Sequence, residues 1–217
     1  MHYRDTVSPT VRSFIVGRIA GRFLPGALLA LASILLMACT TPEVETNLAP
    51  EQSPNDPFAY RYVVLDNGLP TLLISDPNTP KAAASLDVEV GSGDNPEDRP
   101  GLAHFLEHML FLGTEKYPDP AEYEQYITEH GGNRNAYTSF EHTNYFFDVD
   151  PDYLAGALDR FAQFFIAPTL DAKYVLRERN AVQAEYQMGI RSDSRRGLDV
   201  LQASMNPAHP YSRVSVG

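Results

Sequence analysis

The feature that most constrains this chain is the pentapeptide His104-Phe105-Leu106-Glu107-His108. In an α-helix, residues four apart stand one turn apart on one side, so His104 and His108 can present two imidazole nitrogens to a single ion. Glu107 lies beside them, able to reach a water on that ion without binding it. Two imidazoles and one open position still leave a metal short of a protein ligand, so the fold has to bring a third donor from elsewhere. The segment Asp171 to Met188 reads as a helix and offers two, Glu178 and Glu185. Seven residues make two turns, which places both on nearly one stripe with the apolar Val182. The pattern alone does not rank them.

Around this core the sequence predicts strands followed by segregated helices. Tyr60 to Leu65 and Leu69 to Ser75 flank Asp66-Asn67-Gly68, a hairpin turn signal. In Ala82 to Val90 the residues Ala84, Leu86, Val88 and Val90 alternate with Ser85, Asp87 and Glu89, giving one buried face. Leu102 to Leu112 reads as a mostly buried helix, because Leu102, Phe105, Leu106, Met109 and Leu110 cover more than one stripe. A second helix over Ala121 to His130 stops at Gly131-Gly132. Asn135 to Phe140 and Thr143 to Val149 are expected as strands, and Tyr153 to Phe165 as a helix whose Phe161, Phe164 and Phe165 pack a core. The expected class is α+β, an antiparallel or mixed β-sheet with helices packed on one face. The chain stops at Ser215-Val216-Gly217 in a turn-like region, which reads as truncation at the C-terminus. His130, His142 and His209 are expected in structural or surface roles.

The first residues differ in kind. Arg4, Arg12, Arg18 and Arg22 against one Asp5 precede an apolar run from Ala27 to Ala38, the pattern of a secretion signal. That run is shorter than the roughly 20 residues that cross a bilayer. It ends in Leu36-Met37-Ala38-Cys39, which resembles the lipobox of bacterial lipoproteins. The expected organisation is therefore a signal over residues 1–38, Cys39 as lipid attachment site, a Pro/Glu/Asn/Ser-rich tether over 39–57, and an incomplete folded domain over 58–217. The expected place is the periplasmic side of a bacterial envelope, lipid-anchored to the membrane, the outer membrane rather than the inner. Cys39 is the only cysteine in the sequence. Without residues 1–38 the chain has 13 basic against 27 acidic side chains, a net of −14. Such a charge opposes nucleic acid and is compatible with peptide partners.

The segments Gly101 to Thr114, Gly131 to Thr138, Gly156 to Phe165 and Arg177 to Glu185 together resemble the pitrilysin and insulin-degrading enzyme family of metallopeptidases, across Tyr60 to Gly217. The separation of His108 and Glu185, 77 residues, is the spacing of that family. The resemblance implies a Zn²⁺ held by His104, His108 and Glu185, with Glu178 supporting the site without binding the metal. It implies a zinc-dependent endopeptidase acting on peptides or unfolded segments, whose zinc-bound water is activated by Glu107. It also implies that Asn135 and Ala136 form a strand edge pairing with extended substrate. In the residues themselves, Asn135 could equally end a strand through a local hydrogen bond. Enzymes of this type enclose substrate between two halves built from four related domains. The resemblance thus implies further C-terminal domains, with this chain about the first quarter and inactive in isolation. A homologue that binds peptides without cutting them, and an enzyme that removes targeting segments with a partner subunit, are the competing readings. Arg134 and Tyr186 depart from the family pattern.

Overall fold

The computed structural model describes residues 51–213. These fall into two units that divide after Asp76. In the first, β1 (Ala59–Val64) and β2 (Pro70–Ser75) form an antiparallel hairpin with Val64 opposite Pro70. Its turn uses Gly68 at φ +85°, and the Asn67 side chain accepts from the Leu69 N–H at 3.1 Å. A left-handed residue preceded by Asn is the chemistry such a turn requires.

The second unit is built on a three-stranded antiparallel sheet in the order β3 (Ala82–Val88), β5 (Thr143–Val149), β4 (Asn133–Thr138). Strand β5 is central. Its alternate residues Thr143, Tyr145, Phe147 and Val149 are buried, while Asn144, Phe146 and Asp148 face the more open side. Ala84, Leu86 and Val88 of β3 join the same inner face. Helices α1 (Leu102–Leu110), α2 (Glu122–Glu129) and α3 (Leu154–Ile166) cover that face, each in contact with a strand. Ile127 of α2, Ala157, Phe161 and Phe164 of α3 and Phe147 of β5 pack between them, with Phe165 against the cluster. Fully burying one such aromatic contributes about 1.5–3 kcal/mol, so this aromatic core fixes the helices to the sheet. Helix α4 (Ala172–Gly189) packs on α1, and α5 (Asp193–Ala203) follows it after a short break.

The expected α+β architecture is therefore observed, with an all-antiparallel arrangement of strands. Three local expectations differ. Helix α1 is not mostly buried: Leu102 and Leu106 are exposed, while Glu107, Met109 and Leu110 are covered. One turn apart, Leu102 and Leu106 share one exposed stripe. Strand β4 begins at Asn133, two residues earlier than expected, because Gly132 lets the backbone close onto β5 at once. A Cβ at Gly132 would stand 2.1 Å from the Asp148 carbonyl oxygen. Gly132→Ala should therefore destabilise the domain by about 3 kcal/mol, since backbone rather than a flexible side chain blocks the space. Urea unfolding reads this, and a change below about 1 kcal/mol would show that the approach relaxes freely. Helix α5 was not expected at all.

The signal, residues 1–38, Cys39 and most of the tether lie outside the described residues. The assignment of signal, lipoprotein, membrane and periplasm is corrected. Among the described residues no helix is long and apolar enough to cross a membrane.

Candidate metal centre

Helix α1 starts at Gly101, whose φ of +82° turns the chain into the helix. The buried Asn95 accepts from the Ala103 N–H at 2.9 Å and ties the start of the helix to the preceding loop. With its first turn fixed, α1 projects His104 and His108 to one side, and their Nε2 atoms stand 3.3 Å apart. Helix α4 begins at Asp171, which accepts from the Lys173 N–H at 3.0 Å. Val182, buried in α4, sets the face that α4 turns inward.

Glu185 meets both imidazoles from that face, 3.5 Å from His104 Nε2 and 3.7 Å from His108 Nε2. Glu178, two turns earlier, lies against the opposite nitrogen of His108, 3.5 Å from Nδ1, and accepts from Arg177 at 2.7 Å. One donor atom from each of His104, His108 and Glu185 falls within 4.8 Å of the others, a spacing suited to one metal ion. The donor set fits a cation on chemical grounds too. Three carboxylates, Glu107, Glu178 and Glu185, surround two imidazoles in one cleft, so the local charge favours a positive ion between them.

Glu107 is itself buried and outside the ligand cluster. Its Oε2 accepts from Thr138 Oγ1 at 2.6 Å, so a residue of β4 holds it in place. Burial pushes the Tyr145 phenol well above its usual range, and the nearby Glu107 charge adds to this. Tyr145 therefore stays protonated beneath the site. Asn135 lies exposed in the middle of β4 rather than at its end, and Ala136 beside it packs toward the core. Both line the cleft of about 660 Å³ that holds the metal cluster, as do Phe111, Arg134, Tyr186 and Arg195. Among the described residues strand β4 pairs with β5 alone, so its other edge is open in this sheet.

The remaining described histidines stand apart from the cluster. His130 Nδ1 is 2.6 Å from the Tyr126 carbonyl, His142 pairs with Asp87 at 2.9 Å, and His209 accepts from the Tyr211 N–H at 3.2 Å. Thr138 and Asn95 were not foreseen as supports of the site. Their partners lie 31 and 8 residues away, and no local pattern marks such pairs.

The sequence model of the insulinase family, peptidase family M16, matches residues 71–214. The chain belongs to this family. Within the M16 relatives, it is 52% identical over 166 residues to the insulin-degrading enzyme of Mus musculus, covering 76% of this chain and 16% of that protein. It is 46% identical to the A-factor-processing enzyme of Saccharomyces cerevisiae, covering 75% of this chain and 16% of that one. The crystal structure of pitrilysin superposes with a TM-score of 0.75 at 44% identity, over 77% of this chain and 18% of that chain. The fold is thus that of a pitrilysin-type M16 peptidase domain, and its His-His-Glu cluster is consistent with a zinc-dependent endopeptidase site. The matched region spans about a sixth of these relatives, less than the expected quarter.

Proposed function

We propose that residues 58–217 form part of the peptidase domain of a longer zinc endopeptidase, and that His104, His108 and Glu185 hold one Zn²⁺. The observation that carries this reading is the convergence of two imidazoles and a carboxylate beside a buried carboxylate that is not a ligand. Two ligands about 2.05 Å from one ion at the tetrahedral angle stand roughly 3.3 Å apart. The two imidazole nitrogens are separated by 3.3 Å, and Glu185 approaches to 3.5 Å. A zinc ion bound there supplies Lewis acidity and lowers the pKa of water toward about 7.

The protein's own groups do the rest. Glu107, held by Thr138, is the base that takes a proton from water and returns it to the leaving nitrogen. Glu178 orients His108 through Nδ1, keeping Nε2 turned to the ion. The open edge of β4, at Asn135 and Ala136, adds an extended peptide as a further strand, so binding reads backbone more than side chains. Relatives named for insulin and for A-factor support peptides as the substrate class. With a sixth of such a protein, these residues leave the substrate open to solvent, and further domains of the chain complete its enclosure.

The test is zinc analysis and cleavage of internally quenched peptides by the full-length protein. One zinc per chain, loss of cleavage on chelation and its return with added zinc are expected. Cleavage that persists in metal-free protein would sink the reading.

A further inference from the structure

Two guanidinium groups stand in the wall of the metal cleft, and their situations differ. Arg134 of β4 is engaged: it pairs with Glu124 at 2.7 Å and lies over the Phe111 ring, 4.9 Å from its centre. Arg195, in the first turn of α5, is half-buried and has neither an ion pair nor a hydrogen bond among the described residues. None of the cleft's three carboxylates lies within ion-pairing distance of it. The ion-pair partners of Glu178 are Arg177 and His108, and those of Glu185 are His104 and His108. A partly desolvated cation without a partner is unfavourable, and a carboxylate brought by a ligand would relieve it.

The position of Arg195 relates it to the reaction. Its stem passes beside Gly189, where an added Cβ would meet the Arg195 Cγ at 3.6 Å. Gly189 is four residues beyond Glu185 on α4, about 6 Å along the axis. Arg195 lines the same cleft as Asn135 and Ala136 of β4 and the metal cluster, so a peptide extended along β4, advancing about 3.3 Å per residue, runs through the space that Arg195 borders.

We propose that Arg195 is a specificity-determining residue whose guanidinium takes a carboxylate of the bound peptide. The carboxylate comes from an Asp or Glu side chain near the cleaved bond or from a free C-terminus. The inference rests on the endopeptidase reading, and it adds a charge preference to a site that otherwise reads backbone.

The experiment uses the full-length, zinc-loaded protein and one cleavable parent peptide. Each position near the cut is occupied in turn by Glu, Gln or Lys, with the C-terminus either free or amidated. A charge-assisted pair should favour Glu over Gln at one position by about tenfold in kcat/KM, mainly through KM. Arg195→Gln should bring that ratio close to one, Arg195→Lys should keep part of it, and Arg195→Glu should turn the preference toward Lys. A preference that follows the free over the amidated terminus, and is likewise lost in R195Q, assigns the site to the terminal carboxylate. The inference is overturned if R195Q leaves the ratio unchanged, or if it weakens Glu, Gln and Lys peptides alike with no recovery in R195K. The same peptides are ranked by fluorescence anisotropy on the Glu107→Gln protein, which binds without cutting. Lack of cleavage by the wild-type protein would therefore count against the endopeptidase reading alone, while the binding ratio still decides the role of Arg195.

Discussion

Glu107→Gln in the full-length protein should retain one zinc per chain while kcat for peptide cleavage falls by about 10²–10⁴-fold, the usual contribution of a positioned acid–base group. The separation of the two outcomes follows from the geometry. Glu107 is not among the three groups that converge for a metal, so its loss leaves the donor set whole. The amide is isosteric with the carboxylate and keeps an oxygen to accept from Thr138, so the buried side chain stays satisfied and the fold is undisturbed. What it lacks is the capacity to take a proton. Elemental analysis, circular dichroism and single-turnover cleavage check the three parts separately. Retained wild-type cleavage would remove Glu107 from the reaction, and lost zinc would make it a ligand instead.

Much of this arrangement was legible in the sequence because it rests on short-range periodicity. The four-residue interval between His104 and His108 determines a shared helix face, and the seven-residue interval from Glu178 to Glu185 determines a second. The bounds of strand β5 agree with the sequence, where the β-prone Tyr145-Phe146-Phe147 run is closed by Asp150-Pro151. Where two signals competed, the reading slipped. Gly131-Gly132 signals a helix stop in the sequence, yet only the first has positive φ, and the second admits the close approach that starts β4. Helix α5 was passed over although Ser192 stands at its N-cap and Leu198, Leu201 and Gln202 recur at helical intervals, because Gly197 and a run of charges weaken the apolar pattern. The exposed stripe of Leu102 and Leu106 shows the converse: hydrophobic residues around a helix do not specify which of them the rest of the fold will cover. Which glutamate faces the two Nε2 atoms was beyond periodicity, since that depends on how far α4 slides along α1. The resemblance, and then the approach of Glu185 to both Nε2 atoms and of Glu178 to His108 Nδ1, distinguish them.

That distinction yields the second large effect. Glu185→Ala should weaken zinc binding far more than Glu178→Gln, and the ratio tests their different places. Glu185 faces the nitrogens turned to the ion, so its removal leaves two protein donors. Zinc binding worth about 10–16 kcal/mol over four ligands corresponds to roughly 3 kcal/mol each, so affinity should fall on the order of a hundredfold and cleavage with it. Glu178 touches only the rear nitrogen of His108. Its amide retains a hydrogen-bond acceptor, and the loss of charge behind a ligand should cost about tenfold, the lower end for groups that orient ligands. Its effect is held in that range by Arg177, which is more than half exposed and can be solvated once its partner is neutral. Competition against a chelator of known affinity, with circular dichroism to show that both variants fold, measures the two losses. A larger loss in E178Q than in E185A would exchange their assignments, and equal small losses would mean that the third donor comes from outside this domain.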